Sequence, residues 1–349
     1  MTSPWEFPDF DDHEGVHFFR DPTTGLTAII AVHSTFRGPA GGGARFWHYA
    51  SADAAITDAL RLSRGMSYKN AMAGLPMGGG KGVILADVDR AKTPELFEAF
   101  GRSIETLNGR YVTAEDVGLS EEDMVSISRA TRHVTGLPVA DDQAGGNPGP
   151  STSRGVYLGV LAAIRRRLGR SHPQGVHVAI QGVGSVGGGL ARLLAADGAR
   201  LTLADVNAER ARALAVELGA ETVPADDVLG VEADVFSPNA LGAILDEQTI
   251  ADLKVPIVAG GANNQLSRPE HGQILQRRGI LYAPDYVINA GGIINVAYEY
   301  EGGRSRADVE AALTRIPARL EQVWDESEST GEPPSMVADR MARHLIGRP

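Results

Sequence analysis

GVHVAIQGVGSVGGGLARLLAADGARLTLAD, residues 175–205, is the stretch of this sequence that decides its fold. An apolar run is followed by a glycine-rich turn, a segment of helical periodicity and a second apolar run. This order predicts a strand, a turn, a helix and a second strand. Gly182, Gly184 and Gly187 have the G-x-G-x-x-G spacing within the turn, and Asp205 closes the second apolar run.

In this context the glycine spacing predicts a dinucleotide site. Gly182 permits the tight turn, and Gly184 lets the backbone approach a pyrophosphate. The start of the helix, at Ser185 and Val186, offers free amide groups to that anion. A carboxylate at Asp205 would accept hydrogen bonds from a ribose diol and repel a 2′-phosphate, which favours NAD over NADP. The alternatives are a tight turn without a ligand and a turn or cap role for Asp205.

Strand and helix patterns surround this unit on both sides. They go on alternating up to residues 280–292, which predicts a doubly wound parallel sheet. Residues 16–33 predict two strands about an Asp-Pro-Thr-Thr-Gly turn. Residues 51–66 predict a helix capped by Ser51, and residues 93–107 predict a helix with proline in its first turn.

The polar, Gly/Pro-rich segment 138–152 predicts a hinge between two domains. We expect an α/β protein whose two domains flank a cleft. The first is an N-terminal α/β domain at 1–140, and the second is a Rossmann-type NAD-binding domain at 141–319. Helices from about 320–349 are expected to pack back on the first domain.

Composition narrows the class of protein. The 349 residues are 43% hydrophobic and 22% charged, which is ordinary for a soluble globular chain. No apolar stretch has membrane-spanning length, and the acidic N-terminal residues do not have the basic-then-apolar pattern expected of a secretion signal. The absence of cysteine excludes disulfides and thiolate chemistry, and no acidic or histidine cluster has metal-ligand spacing. The net charge of −11 argues against nucleic acid and anionic membrane as partners. We therefore expect a cytoplasmic protein without a metal.

A second glycine-rich stretch, KNAMAGLPMGGGK, begins at Lys69 and ends at Lys81. It is not a P-loop, because Leu75 stands where the first glycine belongs and Gly82 where a hydroxyl should follow. It is not a linker either, since its apolar residues anchor it. The stretch predicts a packed wall in which a lysine binds an anion or, when desolvated, acts as a base. Two solvated surface lysines are the alternative.

Six motifs follow one another from about residue 14 to near residue 340: HSTFRGPAGGGARFW, DALRLSRGMSYKNAMAGLPMGGGKGVI, NGRYVTAEDVG, GNPGPST, VAGGANNQL and LYAPDYVINAGGIINVA. This set resembles the leucine, valine and phenylalanine dehydrogenases, within the glutamate/leucine/phenylalanine/valine dehydrogenase superfamily. The resemblance implies that an L-amino acid, NAD⁺ and water give a 2-oxo acid, ammonia and NADH, with reductive amination as the reverse. It also implies a homo-oligomer, a dimer or larger.

The resemblance also implies roles for individual residues. Lys69 would pair with the substrate carboxylate, Lys81 would activate the attacking water, and Asp116 would move protons to and from the nitrogen. The positions that would contact the substrate backbone or the cofactor are Gly42 and Gly43 beside the carboxylate, Asn263 between nicotinamide and substrate, Thr152 at the carboxamide, and Asn289 at the cofactor.

Five positions match the family's side-chain pocket: Gly41, Met66, Ala114, Ile293 and Val296. None is charged, so a second carboxylate would be buried without a partner, and glutamate is not expected. Gly41 replaces a bulky aliphatic residue typical of leucine-type members, which would deepen the pocket towards phenylalanine. The β-branched residues favour a narrow pocket instead. We expect an apolar substrate, branched-chain rather than aromatic.

Two other functions are alternatives to this prediction. A catalytically silent NAD-binding sensor would not need both lysines and the aspartate. A hydroxy-acid dehydrogenase would need a histidine base with an arginine, and no spacing recommends His271 or Arg45 for those roles. For the dehydrogenase we expect closure about the 138–152 hinge to bring nicotinamide and substrate together.

Overall fold

The computed structural model describes residues 4–87 and 91–349, which form two compact units. The first unit consists of Met1–Asn147, Asn295–Asp308 and Ala342–Pro349, and the second of Pro148–Ile294 and Val309–Met341. Both units combine a β-sheet with helices, so the predicted two-domain α/β class is confirmed. The boundary between Asn147 and Pro148 falls inside the segment 138–152. Hinge motion there stays a prediction.

The strands and helices of the first unit's N-terminal part are β1 (Gly15–Asp21), β2 (Leu26–Ser34), β3 (Ala40–Gly41), β4 (Ala44–Trp47), α1 (Ala52–Met72), β5 (Gly78–Leu85), α2 (Pro94–Glu105), β6 (Tyr111–Val112) and α3 (Glu121–Ser128). The predicted hairpin and the two predicted helices are confirmed. Ser51 caps α1 by accepting a hydrogen bond from the Ala54 amide, and Pro94 opens α2.

The second unit begins with α4 (Gly149–Leu168), β7 (His177–Gln181), α5 (Ser185–Ala196), β8 (Arg200–Ala204), α6 (Ala208–Leu218), β9 (Glu221–Thr222), β10 (Val235–Pro238), α7 (Glu247–Asp252), β11 (Ile257–Val258), α8 (His271–Arg277), β12 (Leu281–Tyr282) and α9 (Asp285–Ile288). The remaining helices are α10 (Gly291–Glu301), α11 (Arg306–Leu313), α12 (Arg315–Thr330) and α13 (Pro334–Leu345). Helices α10, α11 and α13 each contain residues of both units.

The C-terminal helices correct one expectation. Residues 320–341 belong to the second unit, so the prediction that 320–349 packs on the first domain is wrong for them. The reason lies in α12, where the buried Trp324 donates from Nε1 to the Tyr282 carbonyl at 2.9 Å. Residues 342–349 belong to the first unit, where the Arg348 guanidinium donates to the His33 carbonyl at 3.0 Å.

The sheet of the first unit has the strand order β1-β2-β5-β3-β6, and β4 also pairs with β5. Strand β5 is antiparallel to β2 and parallel to β3 and β4. It is therefore central, and it carries both the glycine triplet and Lys81.

Helix α1 lies directly on β5 because the strand has no side chain at the crossing. A Cβ atom built on Gly79 would approach Ser67 Cα of α1 to 2.5 Å and overlap its amide nitrogen. Asn70 of α1 also donates to the Gly41 carbonyl at 3.2 Å and to the Gly78 carbonyl at 2.5 Å. The glycine triplet is thus a packed surface, as predicted from its apolar anchors.

The sheet of the second unit has the order β12-β11-β10-β7-β8-β9, and every pairing in it is parallel. This is the doubly wound arrangement of dinucleotide-binding domains, in which the strand order reverses between β7 and β10. Ligands of such sheets bind at the carboxyl ends of the strands beside this reversal. Gly182 follows β7 immediately and Asp205 follows β8 immediately, so both lie at that edge.

Within the described residues, no helix combines the length and the apolar character needed to cross a membrane.

The crossing of α1 and β5 gives a stability prediction. Gly79→Ala places a methyl group against the Ser67 backbone, so we expect it to lower the free energy of unfolding by about 1–3 kcal/mol, as overpacking does. Urea unfolding followed by circular dichroism measures the shift in midpoint.

The matched control is Gly65→Ala in the same helix, where a Cβ would meet no atom within 4 Å. This change should leave the midpoint unchanged or raise it, because alanine favours the helix by up to about 1 kcal/mol. Equal midpoints for both variants would show that α1 does not depend on close approach at Gly79.

Candidate active site

The first unit contains a buried ion pair between Lys81 and Asp116. Lys81 Nζ donates to Asp116 Oδ2, and the lysine side chain is only 5% exposed. The lysine lies at the centre of β5, where it is paired with Ala31 of β2. Asp116 lies in the loop after β6, and its Oδ1 accepts a hydrogen bond from the Val117 amide at 2.7 Å. Two residues predicted from the sequence to do chemistry are therefore in direct contact.

The charges around Asp116 determine its ionisation. Burial alone would raise the pKa of its carboxyl, but Lys81 and Arg45 outweigh this effect and hold the pKa at about 2. Arg45 contributes by donating from Nε to Asp116 Oδ2 at 3.3 Å. Asp116 is consequently an anion at neutral pH, and it begins any reaction as a proton acceptor.

Arg45 is a residue of this site to which sequence reasoning assigned no role beside Asp116. Its guanidinium bridges Asp116 and Asp58 of α1, with Nη1 donating to Asp58 Oδ2 at 3.0 Å. Tyr49 donates its hydroxyl to the same Asp58 oxygen at 2.7 Å. Arg45 directly follows the GGGA motif, but the spacing of these residues carries no signal that they meet. Only the pairing of β4 with β5 and the position of α1 bring them together.

Packing explains why glycine is needed at positions 42 and 43. A Cβ on Gly42 would overlap the Gly80 carbonyl oxygen of β5, and one on Gly43 would lie 2.9 Å from Asp116 Cβ. The first glycine lets the strands meet, and the second leaves room for the Asp116 side chain. Their predicted place beside a substrate carboxylate stays a prediction.

Met66 and Lys69 lie one helical turn apart on α1 and are both partly exposed. Met66 Cγ lies 3.0 Å from a Cβ built on Gly42, so this side of α1 faces the glycine that follows β3. Ala114 is buried, and its carbonyl accepts the Ala44 amide at 2.9 Å.

Gly41 does not leave the empty space that its lack of a side chain suggested. A Cβ built there would overlap Met77 Cε and lie 3.3 Å from Met77 Sδ. The expectation that Gly41 deepens the pocket is therefore wrong, because the end of the Met77 side chain occupies that space.

Ile293 and Val296 are both on α10, and each is 8% exposed. Ile293 belongs to the second unit and Val296 to the first. Their contribution to a side-chain pocket stays a prediction.

In the second unit the glycine turn has the form that the sequence predicts. Gly182 has φ +82°, a left-handed conformation that favours glycine, and a Cβ on Gly187 would overlap the Gly182 carbonyl oxygen. Gly184 caps α5, and a Cβ there would meet only Arg210 Nη1, at 3.9 Å. No side chain caps this helix, whose first residues are Ser185 and Val186. The turn is thus open to an anion in front of an uncapped helix start.

Asp205 holds this turn through its carboxylate. Oδ2 accepts the Val183 amide at 2.9 Å, and Oδ1 accepts the Asn207 amide at 2.8 Å. Arg210 Nη1 lies 3.7 Å from Oδ2. The turn role considered from the sequence is therefore part of the structure, and it fixes the carboxylate at the end of β8, where a ribose diol would lie.

The other predicted cofactor contacts lie in two places in the second unit. Asn289 Nδ2 donates to Asn263 Oδ1 at 2.7 Å, so these two side chains are in contact. Asn289 Oδ1 is buried and has no hydrogen-bond partner. Thr152, in the first turn of α4, donates to the Pro148 carbonyl at 2.9 Å and lies against Gly292. An open glycine cradle and an unpartnered amide oxygen fit a dinucleotide carrying hydrogen-bond donors.

Comparison with known proteins decides which family this site belongs to. The sequence profile described as Glu/Leu/Phe/Val dehydrogenase, dimerisation domain, matches residues 13–133, and the profile described as Glutamate/Leucine/Phenylalanine/Valine dehydrogenase matches residues 201–344. The chain belongs to this dehydrogenase family. It is therefore an amino-acid dehydrogenase, and the predicted resemblance and enzyme class are confirmed.

Individual relatives of this dehydrogenase agree with that assignment. It is 48% identical to leucine dehydrogenase from Geobacillus stearothermophilus over 96% of this chain and 91% of the relative. It is 40% identical to phenylalanine dehydrogenase from Bacillus thermotolerans over 97% of this chain and 90% of the relative. The crystal structure of L-tryptophan dehydrogenase from Nostoc punctiforme superimposes with a TM-score of 0.84, at 40% identity and 96% coverage of both chains.

The pKa of Asp116 gives a pH-dependent prediction for this dehydrogenase. A carboxyl with a lowered folded pKa stabilises the fold above its ordinary pKa near 3.8, and this contribution is lost as pH falls towards about 2. Arg45→Met removes one of the two cations that lower the pKa of Asp116. We expect the variant to be less stable than the parent at pH 5–7, with the difference shrinking as the pH falls below about 4.

Urea unfolding midpoints at several pH values measure this effect. The control is Arg61→Met, because Arg61 lines the same cavity of about 550 Å³ as Arg45 and has no contact with Asp116 among the bonds described. Its midpoint should follow the parent at every pH. If Arg45→Met lowered the unfolding midpoint by the same amount at every pH, Arg45 would act by packing alone.

Proposed function

We propose that this dehydrogenase oxidatively deaminates an apolar L-amino acid, branched-chain in preference to aromatic, with NAD⁺ as the hydride acceptor. The reverse reaction is the reductive amination of the 2-oxo acid by ammonia. The observation that carries the proposal is the buried contact between Lys81 and Asp116 in β5 and its neighbouring loop. A buried lysine held by an anionic carboxylate is a pair that can exchange a proton with water and with an amine.

Lys69 supports the binding step. It lies in the last turn of α1 on the side of Met66 and is partly exposed, so a carboxylate can reach its ammonium group. Pairing the α-carboxylate with Lys69 would orient Cα and the amino group. The amino group would then face the anionic Asp116.

Lys81 and Asp116 divide the proton transfers between them. Asp116, whose pKa is about 2, is ionised and takes a proton from the substrate nitrogen. A bound NAD⁺ would supply the hydride acceptor, so that loss of the hydride from Cα would leave an iminium beside Asp116. Lys81, having released its own ammonium proton to solvent, would then take a proton from water as the oxygen attacks the iminium carbon. Asp116 would return its proton to the nitrogen and so become a carboxylate again. Ammonia would leave as the C–N bond breaks, and the hydroxyl proton would pass to the Asp116 carboxylate as the carbonyl of the 2-oxo acid forms.

The absence of charge supports an apolar substrate. Gly41, Met66 and Ala114 in the first part of the chain and Ile293 and Val296 in α10 carry no charged group. A second substrate carboxylate placed beside Gly41, Met66 or Ala114 would lose its hydration without gaining a partner, which costs several kcal/mol. Leucine and phenylalanine dehydrogenases are both among the relatives, so substrate size is the open choice within this class.

The second unit supports NAD rather than NADP. The Gly182 and Gly184 cradle and the uncapped start of α5 would receive the pyrophosphate. Asp205, fixed by the Val183 and Asn207 amides, would accept hydrogen bonds from the adenosine ribose and repel a 2′-phosphate.

A homo-oligomer is also part of the proposal. The profile that matches residues 13–133 is described as a dimerisation domain. We therefore infer that copies of this chain associate as a dimer or a larger assembly. A cytoplasmic location stays a prediction.

The assay that tests the proposal is NADH formation at alkaline pH with each of the twenty L-amino acids, repeated with NADP⁺. We expect the highest kcat/KM for leucine, valine or isoleucine, and a clear preference for NAD⁺. A preference for phenylalanine or tryptophan would replace the branched-chain substrate by an aromatic one. No turnover with any amino acid, while NAD⁺ still binds, would point to the sensor alternative.

Lys81→Ala tests the catalytic assignment. Loss of a general base typically costs about 10²–10⁴-fold in rate, so we expect kcat to fall by that factor while the dissociation constant for NAD⁺ stays unchanged. Steady-state kinetics and NAD⁺ titration by fluorescence provide the two readouts.

The control is Lys92→Ala, because Lys92 also pairs with an aspartate, Asp123 at 2.8 Å, but at the protein surface. This variant should keep the parent's kcat. If Lys81→Ala retained most of the parent's kcat, Lys81 would not be the base.

A further inference from the structure

The side chain of Met77 occupies the space above Gly41. An ideal Cβ on Gly41 would overlap Met77 Cε, and it would lie 3.3 Å from Met77 Sδ and 3.6 Å from Asn70 Nδ2. Met77 is only 4% exposed. Any side chain at position 41 would therefore compete with the end of the methionine for the same volume.

This volume lies on the face of the sheet that carries Lys81. Side chains alternate along a strand, so Met77, Gly79 and Lys81 share one face. Gly79 lies against Ser67 of α1, which identifies that face as the one covered by α1. The contact of the Gly41 position with Asn70 of α1 agrees with this placement. The end of Met77 thus belongs to the same α1-covered face as the proposed general base.

Met66 lies on this face as well. Its Cγ is 3.0 Å from a Cβ built on Gly42, the residue next to Gly41. Met66 of α1 therefore lies against the Gly42 position, and Met77, the residue before β5, lies against the Gly41 position. Both methionines are on the side of Lys81. A methionine side chain is unbranched and has three rotatable bonds, so it can fill an irregular space and also withdraw from it.

We infer that Met77 determines how large a substrate side chain this enzyme accepts, because its thioether end fills the space that a side chain at position 41 would otherwise fill. The inference rests on the proposed function and names the residue that limits its substrate class. With Met77 in place the apolar wall suits a branched aliphatic side chain. An aromatic ring would require the methionine to turn away.

Met77→Ala tests the inference by emptying this space. One methylene in an apolar pocket changes discrimination by about 10–200-fold, so we expect the ratio of kcat/KM for L-phenylalanine to that for L-leucine to rise at least tenfold. Introducing Gly41→Leu into this variant should return the ratio towards the parent's value. Gly41→Leu alone should impair both substrates, because leucine and Met77 would then overlap.

The matched control is Met124→Ala, since Met124 is a fully buried methionine in the core of the same unit, against α2 and the sheet. It should lower stability and leave the substrate ratio unchanged. An unchanged ratio in Met77→Ala, or the same small change in both variants, would overturn the inference. An additive effect of Gly41→Leu and Met77→Ala would do so too, because residues that compete for one volume must show coupling.

If Met77→Ala does not fold, Met77→Val replaces it, because valine still fills part of the space. Met77→Val should raise the phenylalanine-to-leucine ratio of kcat/KM by a smaller factor. Calorimetric titration of parent and variant with L-leucine and L-phenylalanine gives a readout that does not need turnover. If the parent binds these amino acids without turning them over, the proposed function fails, while a changed ratio of dissociation constants still supports Met77. If the parent turns over amino acids and the variant ratio does not move, only the role of Met77 fails.

Discussion

The contact on which the first unit depends is the crossing of α1 over β5 at Gly79. A helix and a sheet normally stand apart by the thickness of their side chains, but here a single methyl group would collide with the helix backbone at Ser67. Lys69 lies near the end of this helix, and Lys81 lies in the strand that the helix crosses. The glycine triplet is therefore a packing surface, which lets the helix backbone approach the strand that carries Lys81.

Close approach brings an electrostatic constraint with it. A buried lysine costs free energy unless an anion compensates it, and Asp116 supplies that anion. A single carboxylate between Lys81 and Arg45 would leave an excess of positive charge, and Asp58 balances Arg45 on its other side. Tyr49 in turn donates to Asp58. The four charged groups form a neutral set, so the Lys81–Asp116 pair is held in place without a net charge on the group as a whole.

The sequence predicted those parts whose signal is local. The glycine turn at 182–187, the acid at the end of the following strand, the capped helix after Ser51 and the hairpin at 16–33 each depend on residues close together in the chain, and each is present. The Arg45–Asp58 contact was missed because β4 and α1 meet only in the folded unit. The position of residues 320–341 was wrong for the same reason, since nothing near Trp324 in the chain indicates that its indole bonds to Tyr282.

Gly41 shows why single positions are poor guides to a pocket. From the sequence alone, the loss of a side chain there indicates a larger space, and that conclusion assumes that the neighbours stay where they are. Protein interiors are close-packed, so a volume that one residue gives up is usually taken by another. Met77, thirty-six positions along the chain, takes it here because β3 and β5 are adjacent and parallel, with Gly41 paired to Gly79. The free volume beside Gly41 consequently depends on the residues at positions 41 and 77 together, and in this chain the Met77 side chain fills it.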